Sequence, residues 1–142
     1  MRVRTQHGEL PVESLQVGDM VWAQDVRTGE LDLKPVLHTE TGIDEEVVTV
    51  SLDGEDLSVT PNHLFWTSVG KWVEARHLKP GDVVLRLGGQ SRVERVSDPN
   101  TAKTANIVID DWHTLFLGRQ GILVRDAPVP LQDGLASESD GE

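Results

Sequence analysis

Short runs rich in apolar residues, in many of which apolar and polar positions alternate as in VVTVSL, lie along most of the chain, broken every few residues by turn formers. The runs are MVWAQDV (20–26), EEVVTVSL (45–52), DLSVT (56–60), HLFWT (63–67), DVVLRL (82–87), RVERV (92–96), ANIVID (105–110), TLFLG (114–118) and ILVRD (122–126). Alternation of this kind, rich in Val, Ile, Leu and Thr, is the signature of strands with one buried face. Between the runs stand Thr28-Gly29, Asp53-Gly54, Pro61-Asn62, Gly70, Pro80-Gly81, Gly88-Gly89 and Asp98-Pro99, which punctuate rather than continue a strand. No stretch keeps apolar residues at helical spacing beyond three turns. The pattern predicts an all-β fold. Asp53-Gly54, between VTVSL and DLSVT, is the strongest hairpin signal.

One pattern occurs twice. ESLQVGDMVWAQD begins at Glu13 and RHLKPGDVVLRLG at Arg76. Leu15, Gly18, Asp19 and Val21 match Leu78, Gly81, Asp82 and Val84 at a constant offset of sixty-three residues. Glycine supplies a backbone conformation closed to other residues, and aspartate bonds back to nearby backbone. Each copy then feeds a strand. Two copies are too few for a solenoid. They predict a duplicated unit with pseudo-two-fold symmetry, against the alternative that Gly-Asp-x-Val is simply a frequent strand entry.

At 142 residues the chain can bury one substantial core. Thirteen basic and twenty-four acidic residues give a formal charge of −11, which opposes binding to phosphate backbones, and no nucleic-acid partner is expected. No run is long and apolar enough for a membrane span, and MRVRTQHGELPVE is too polar for a secretion signal. Cysteine is absent, so the chain itself holds no disulfide, zinc-thiolate site or thiol nucleophile. His7, His38, His63, His77 and His113 lack metal-ligand spacing, and Gly88-Gly89 lacks the Lys-Ser/Thr of a phosphate loop, so neither metal nor cofactor is expected. Asp44-Glu45-Glu46 reads as a solvated edge, and the four tryptophans read as strand and core material. The segment APVPLQDGLASESDGE, with two prolines, four acidic and no basic residues, reads as a disordered tail or linker over 127–142 that follows one domain over 1–126.

The stretch SVTPNHLFWT places His63 after a Thr-Pro-Asn turn and before an aromatic strand, either as a packed or capping residue or as a working one. Its neighbours bear on the choice. A strand with Gly-Asp, then TPNH, Gly-Lys-Trp-Val-Glu-Ala, LKPGD, IDDWHTLFLG and GILVRD follow in an order that resembles the Hint domain, the self-processing module of inteins, hedgehog autoprocessing domains and bacterial intein-like domains. The bacterial kind carried by polymorphic toxins is the nearest, which points to a bacterial protein that is secreted or surface-exposed. The resemblance spans about residues 2–126 and implies a horseshoe-like all-β fold of two related halves.

It also implies a chemistry. In the family a Cys or Ser at the domain start attacks the preceding carbonyl, against the resonance that protects an amide. A Thr-x-x-His motif weakens that amide. Here it is Thr60 to His63, with the imidazole serving the scissile nitrogen and the Thr hydroxyl holding the distorted amide. A later Asp-x-His corresponds to Asp111 and His113, the carboxylate orienting the histidine. The family's closing His-Asn reads Arg125-Asp126, where Asp126 would attack its own carbonyl. The resemblance implies a substrate that is the protein's own flanking segments, autocatalysis without turnover on other molecules, and a monomer. The departures are the missing nucleophile segment, due about five residues before Val3, and Arg125 in place of His. They keep open a truncated or inactive self-processing domain, or a non-catalytic structural or binding module of a larger protein.

Overall fold

The structure, a computed structural model, describes residues 1–126 and the backbone at 129–130. It is a continuous antiparallel assembly of thirteen strands with two single-turn 3₁₀ segments. The strands are β1 Arg2–Thr5, β2 Gly8–Pro11, β3 Met20–Gln24, β4 Leu31–Leu52, β5 Glu55–Val59, β6 Leu64–Trp66 and β7 Trp72–Glu74. They continue with β8 Val83–Arg86, β9 Gly89–Val96, β10 Asn100–Ile109, β11 Thr114–Leu117, β12 Ile122–Arg125 and β13 Val129–Pro130. Each alternating run of the sequence lies on a strand. The disordered tail expected at 127–142 lies outside the described residues, apart from the backbone of β13, which pairs with Thr104 and Ala105.

The repeat is real at the level of individual hydrogen bonds. A 3₁₀ turn covers Val12–Ser14 in one copy and Ala75–His77 in the other. The Gln16 N–H donates to the Asp19 carboxylate at 2.9 Å, and the Lys79 N–H to the Asp82 carboxylate at 2.9 Å. Gly18 and Gly81 both hold φ at +96°, where any Cβ is strained. Their N–H groups donate to the carbonyls of Val36 and Val93, and those residues donate back to the carbonyls of Asp19 and Asp82. Each turn thus clips itself to the strand that its own strand pairs with, β3 to β4 and β8 to β9. The correspondence reaches further: the Val12 N–H donates to the Met1 carbonyl as the Ala75 N–H donates to that of His63, both at 2.8 Å. The fold is the all-β, two-halved horseshoe expected of a Hint domain.

Asp53 and Gly54 close the β4–β5 hairpin with φ of +46° and +84°, positive at both turn residues as a two-residue hairpin of this twist requires. The half of β4 nearest that turn is buried through Val47, Val48, Val50 and Leu52. Ahead of it, Leu31 to Pro35 pair with β3, and Val36 to Val47 form an antiparallel arm with β10, with bulges at Leu37 and Gly42. Asp44 on the arm pairs with Lys103 at 2.7 Å and is exposed, a solvated edge as read from the sequence. The core gathers Val3, Val21, Leu52, Leu57, Phe65, Ile107, Ile109, Leu117, Ile122 and Val124 from both halves. Each such side chain contributes about 1.5–3 kcal/mol by leaving water. β12 runs through the middle, between β11, β6 and β8, and so delivers the last described residues to the centre of the sheet.

Candidate functional site

Strand β5 ends at Val59 and the chain turns through Thr60, Pro61 and Asn62 into β6. The His63 N–H donates to the Thr60 carbonyl at 3.0 Å, and the carbonyls of Pro61 and His63 accept from Arg76 and Ala75. The turn is therefore clipped to the second 3₁₀ segment, and His63 is driven inward beside Phe65, whose ring centroid lies 6.0 Å away. His63 is 0 % exposed. Desolvation pushes its imidazole down to about 4, against a smaller opposing effect of its hydrogen bond to the Arg125 carbonyl. The ring is neutral at neutral pH. Its Nε2 lies 2.7 Å from that carbonyl oxygen, an acceptor, so Nε2 carries the hydrogen and Nδ1 the lone pair. Nδ1 is buried with no partner, and so is the hydroxyl of Thr60.

The other part of the site is built where β10 turns into β11. Asp111 and His113 hold φ at +64° and +56°, in the left-handed region. The His113 carbonyl accepts from the Asp126 N–H at 2.8 Å. One oxygen of the Asp126 carboxylate takes the Ile109 N–H at 2.8 Å and His113 Nδ1 at 3.0 Å. Asp126 is thus bonded to the histidine twice, through backbone and side chain. The expected pairing of Asp111 with His113 is not what the turn forms. Left-handed backbone at Asp111 turns its carboxylate away, to Lys34 Nζ at 3.0 Å, and the same ammonium stands 4.5 Å over the Trp112 ring. The hydrogen bond to Asp111 raises the Lys34 ammonium above its ordinary value, partly offset by desolvation.

Strand β12 joins the two parts. Its Arg125 presents the carbonyl to His63, its guanidinium lies 5.7 Å over Trp72, and the next residue is Asp126. Thr60, His63, His113 and Asp126 are therefore linked through one short stretch of backbone, and Asp111 borders them on the Lys34 side. Lys34, Trp72, the Ile109 N–H and the Arg125 carbonyl belong to the same neighbourhood. No local pattern in the sequence marks them, because their contacts cross strands and two of the four are backbone groups. Among the described residues no set of three or more His, Cys, Asp or Glu side chains is arranged to hold a metal ion.

The two-halved all-β horseshoe, with His63 buried against the Arg125 carbonyl of β12, is of the Hint class, the fold of inteins. The sequence matches the Pretoxin HINT domain over residues 2–127, and the chain belongs to that family. The bacterial intein-like domain of Clostridium thermocellum, solved in solution, is 30 % identical, with 88 % of this chain and 94 % of that one covered at a TM-score of 0.76. A DnaB intein from Synechocystis sp. PCC 6803 superposes at 0.79 with 14 % identity over 89 % and 94 % of the two chains. The gp41-1 intein superposes at 0.73 with 20 % identity over 88 % and 93 %. At these lower identities the likeness is one of fold. No curated protein matches the chain.

Proposed function

We propose that the domain activates a peptide bond of its own polypeptide, at the junction upstream of β1, and that His63 and Thr60 do the activating. The observation that carries this reading is the pair of buried, unpartnered polar atoms, His63 Nδ1 and Thr60 Oγ1. Burying such groups without partners costs about 1–3 kcal/mol each, so they fit a site that a peptide group completes. A nucleophile of Cys or Ser type on a segment preceding Val3 attacks the carbonyl before it. The bond from sulfur or oxygen to carbon forms and the carbon–nitrogen bond breaks. The nucleophile's proton passes to the neutral Nδ1 and on to the leaving amine. The Thr60 hydroxyl donates to the developing oxyanion. In this reading His113 and Asp126 serve the downstream junction, and the substrate is the flanking chain alone, in a monomer that binds no nucleic acid and belongs to a larger, toxin-bearing bacterial protein.

The 142 residues hold no Cys, and no Ser stands ahead of Val3, so on their own they are expected neither to splice nor to release an N-terminal fusion. A fusion in which a Cys is placed at the family position ahead of Val3 should release its N-terminal partner in a thiol-dependent manner, read by mass before and after dithiothreitol. His63→Ala in that fusion should reduce release by about a hundredfold or more, the scale of acid–base catalysis. His77→Ala, at an exposed site, should not. A second reading, a non-catalytic module, is favoured by Arg125-Asp126 in place of His-Asn and by the engagement of the Asp126 carboxylate. It prevails if the Cys-bearing fusion folds and does not cleave.

A further inference from the structure

We propose that Lys34, on the strand that borders the site, is a positioning residue: it holds the Asp110–His113 turn in the backbone conformation that sets His113 against Asp126. This deepens the reading of His113 and Asp126 as the downstream half of the site, and it concerns their geometry, which is measurable whether or not a bond is cleaved.

Two consecutive residues of β4 grip three consecutive residues of the turn. The Pro35 carbonyl accepts the Asp110 N–H at 3.1 Å. Lys34 Nζ reaches the Asp111 carboxylate at 3.0 Å and stands over the Trp112 ring at 4.5 Å, with Asp32 a further carboxylate at 3.7 Å. The next residue is His113. Two of these four turn residues, Asp111 and His113, carry positive φ, a conformation that non-glycine residues keep only when their surroundings enforce it. On one side the enforcement is Asp126, which takes the imidazole and donates its N–H to the His113 carbonyl. On the other side it is Lys34. An ammonium suits the place because it serves a carboxylate and an aromatic face at once. Its side chain is 18 % exposed and lies in register opposite Val21 of β3, so the strand it stands on does not yield.

The test is hydrogen exchange by NMR on the full chain, at the amides of Ile109 and Asp126. Both donate to groups that stay in place only while the turn does: Ile109 to the Asp126 carboxylate, Asp126 to the His113 carbonyl. Lys34→Met keeps an unbranched side chain of similar length and removes the charge that stands over Trp112. It should lower protection at these two amides by about tenfold or more while leaving the β8–β9 amides unchanged, the mark of a local opening. Lys34→Arg should restore most of the protection. Asp111→Asn, a change at a half-exposed carboxylate, should reproduce the loss. The double variant Lys34→Met, Asp111→Asn should be no worse than Lys34→Met alone, since the contact with Asp111 is already lost there. Unchanged protection at Ile109 and Asp126 in both single variants overturns the proposal. So does a uniform loss across the sheet, which would assign Lys34 to general stability.

Discussion

The neutral, fully buried His63 makes the fold sensitive to acid in a defined way. In the unfolded chain the imidazole takes a proton near its ordinary value of 6.5; in the folded one it resists until about 4. Between those values the unfolded state binds more protons, so stability is fully present above about pH 7 and is lost as the pH falls toward 4, after which the contribution levels off. With these two values the loss relative to pH 8 is about 2 kcal/mol at pH 5 and about 3 kcal/mol at pH 4. That is a large part of the stability of an ordinary domain. His63→Gln provides the reference, because its amide can donate to the Arg125 carbonyl and does not titrate. Urea unfolding followed by tryptophan fluorescence, repeated from pH 8 to pH 4 on both proteins, gives two curves whose difference cancels every carboxylate they share. The wild-type curve should fall more steeply, by about 3 kcal/mol over the range. Parallel curves would show that His63 is not held neutral by burial, and with them would go the proton path through Nδ1.

Four substitutions test the frame that carries the site. Gly54→Ala and Gly118→Ala start from similar φ, +84° and +78°, yet a Cβ at Gly54 meets open space while one at Gly118 would lie 2.5 Å from a Glu55 carboxylate oxygen and 2.8 Å from a Leu57 methyl. Urea midpoints should show a cost of about 1 kcal/mol at Gly54, for backbone strain alone, and about 2–4 kcal/mol at Gly118, where the buried Leu57 and a Glu55 carboxylate held by the Arg119 and Gln120 N–H groups must also shift. The Asp19→Ala and Asp82→Ala changes should each cost about 1 kcal/mol and agree with each other closely, because each removes the same carboxylate bond to the backbone of its own turn.

The sequence announces strands wherever one face of a strand is buried. The later half of β4, β5 and β8 show it as apolar residues set among polar ones, while β11 and β12, buried on both faces, show it as short continuous apolar runs. The first half of β4 does not. Residues 37–44, LHTETGID, hold only two large apolar side chains, Leu37 and Ile43, and the bulges at Leu37 and Gly42 break the period of two, so no alternating run marks them. The β1–β2 hairpin is hidden for a similar reason, since β2 has no fully buried residue. The site divides the same way. His63 is legible because a turn and an aromatic strand flank it in sequence. The partner of His113 is not, because which of two aspartates reaches it depends on φ at Asp111, and the carboxylate that stands adjacent in sequence is the one the backbone turns away.

The matched halves have a consequence for direction. An object with two-fold symmetry cannot tell one end of a polypeptide from the other, yet a bond broken upstream of a domain differs from one broken downstream. The backbone here is close to indifferent: it offers the same turn, the same glycine and the same returning pair of hydrogen bonds in each half. Orientation is written in the side chains laid on that frame. Where one half accepts a bond from its 3₁₀ turn at the backbone carbonyl of the buried histidine, the other accepts it at the backbone carbonyl of a methionine. Polarity in this protein is therefore a property of a few substituents on an unpolarised scaffold. An exchange of the two Gly-Asp turns should pass almost unnoticed, while an imidazole moved from residue 63 to residue 1 would leave behind the Arg125 carbonyl that fixes its tautomer.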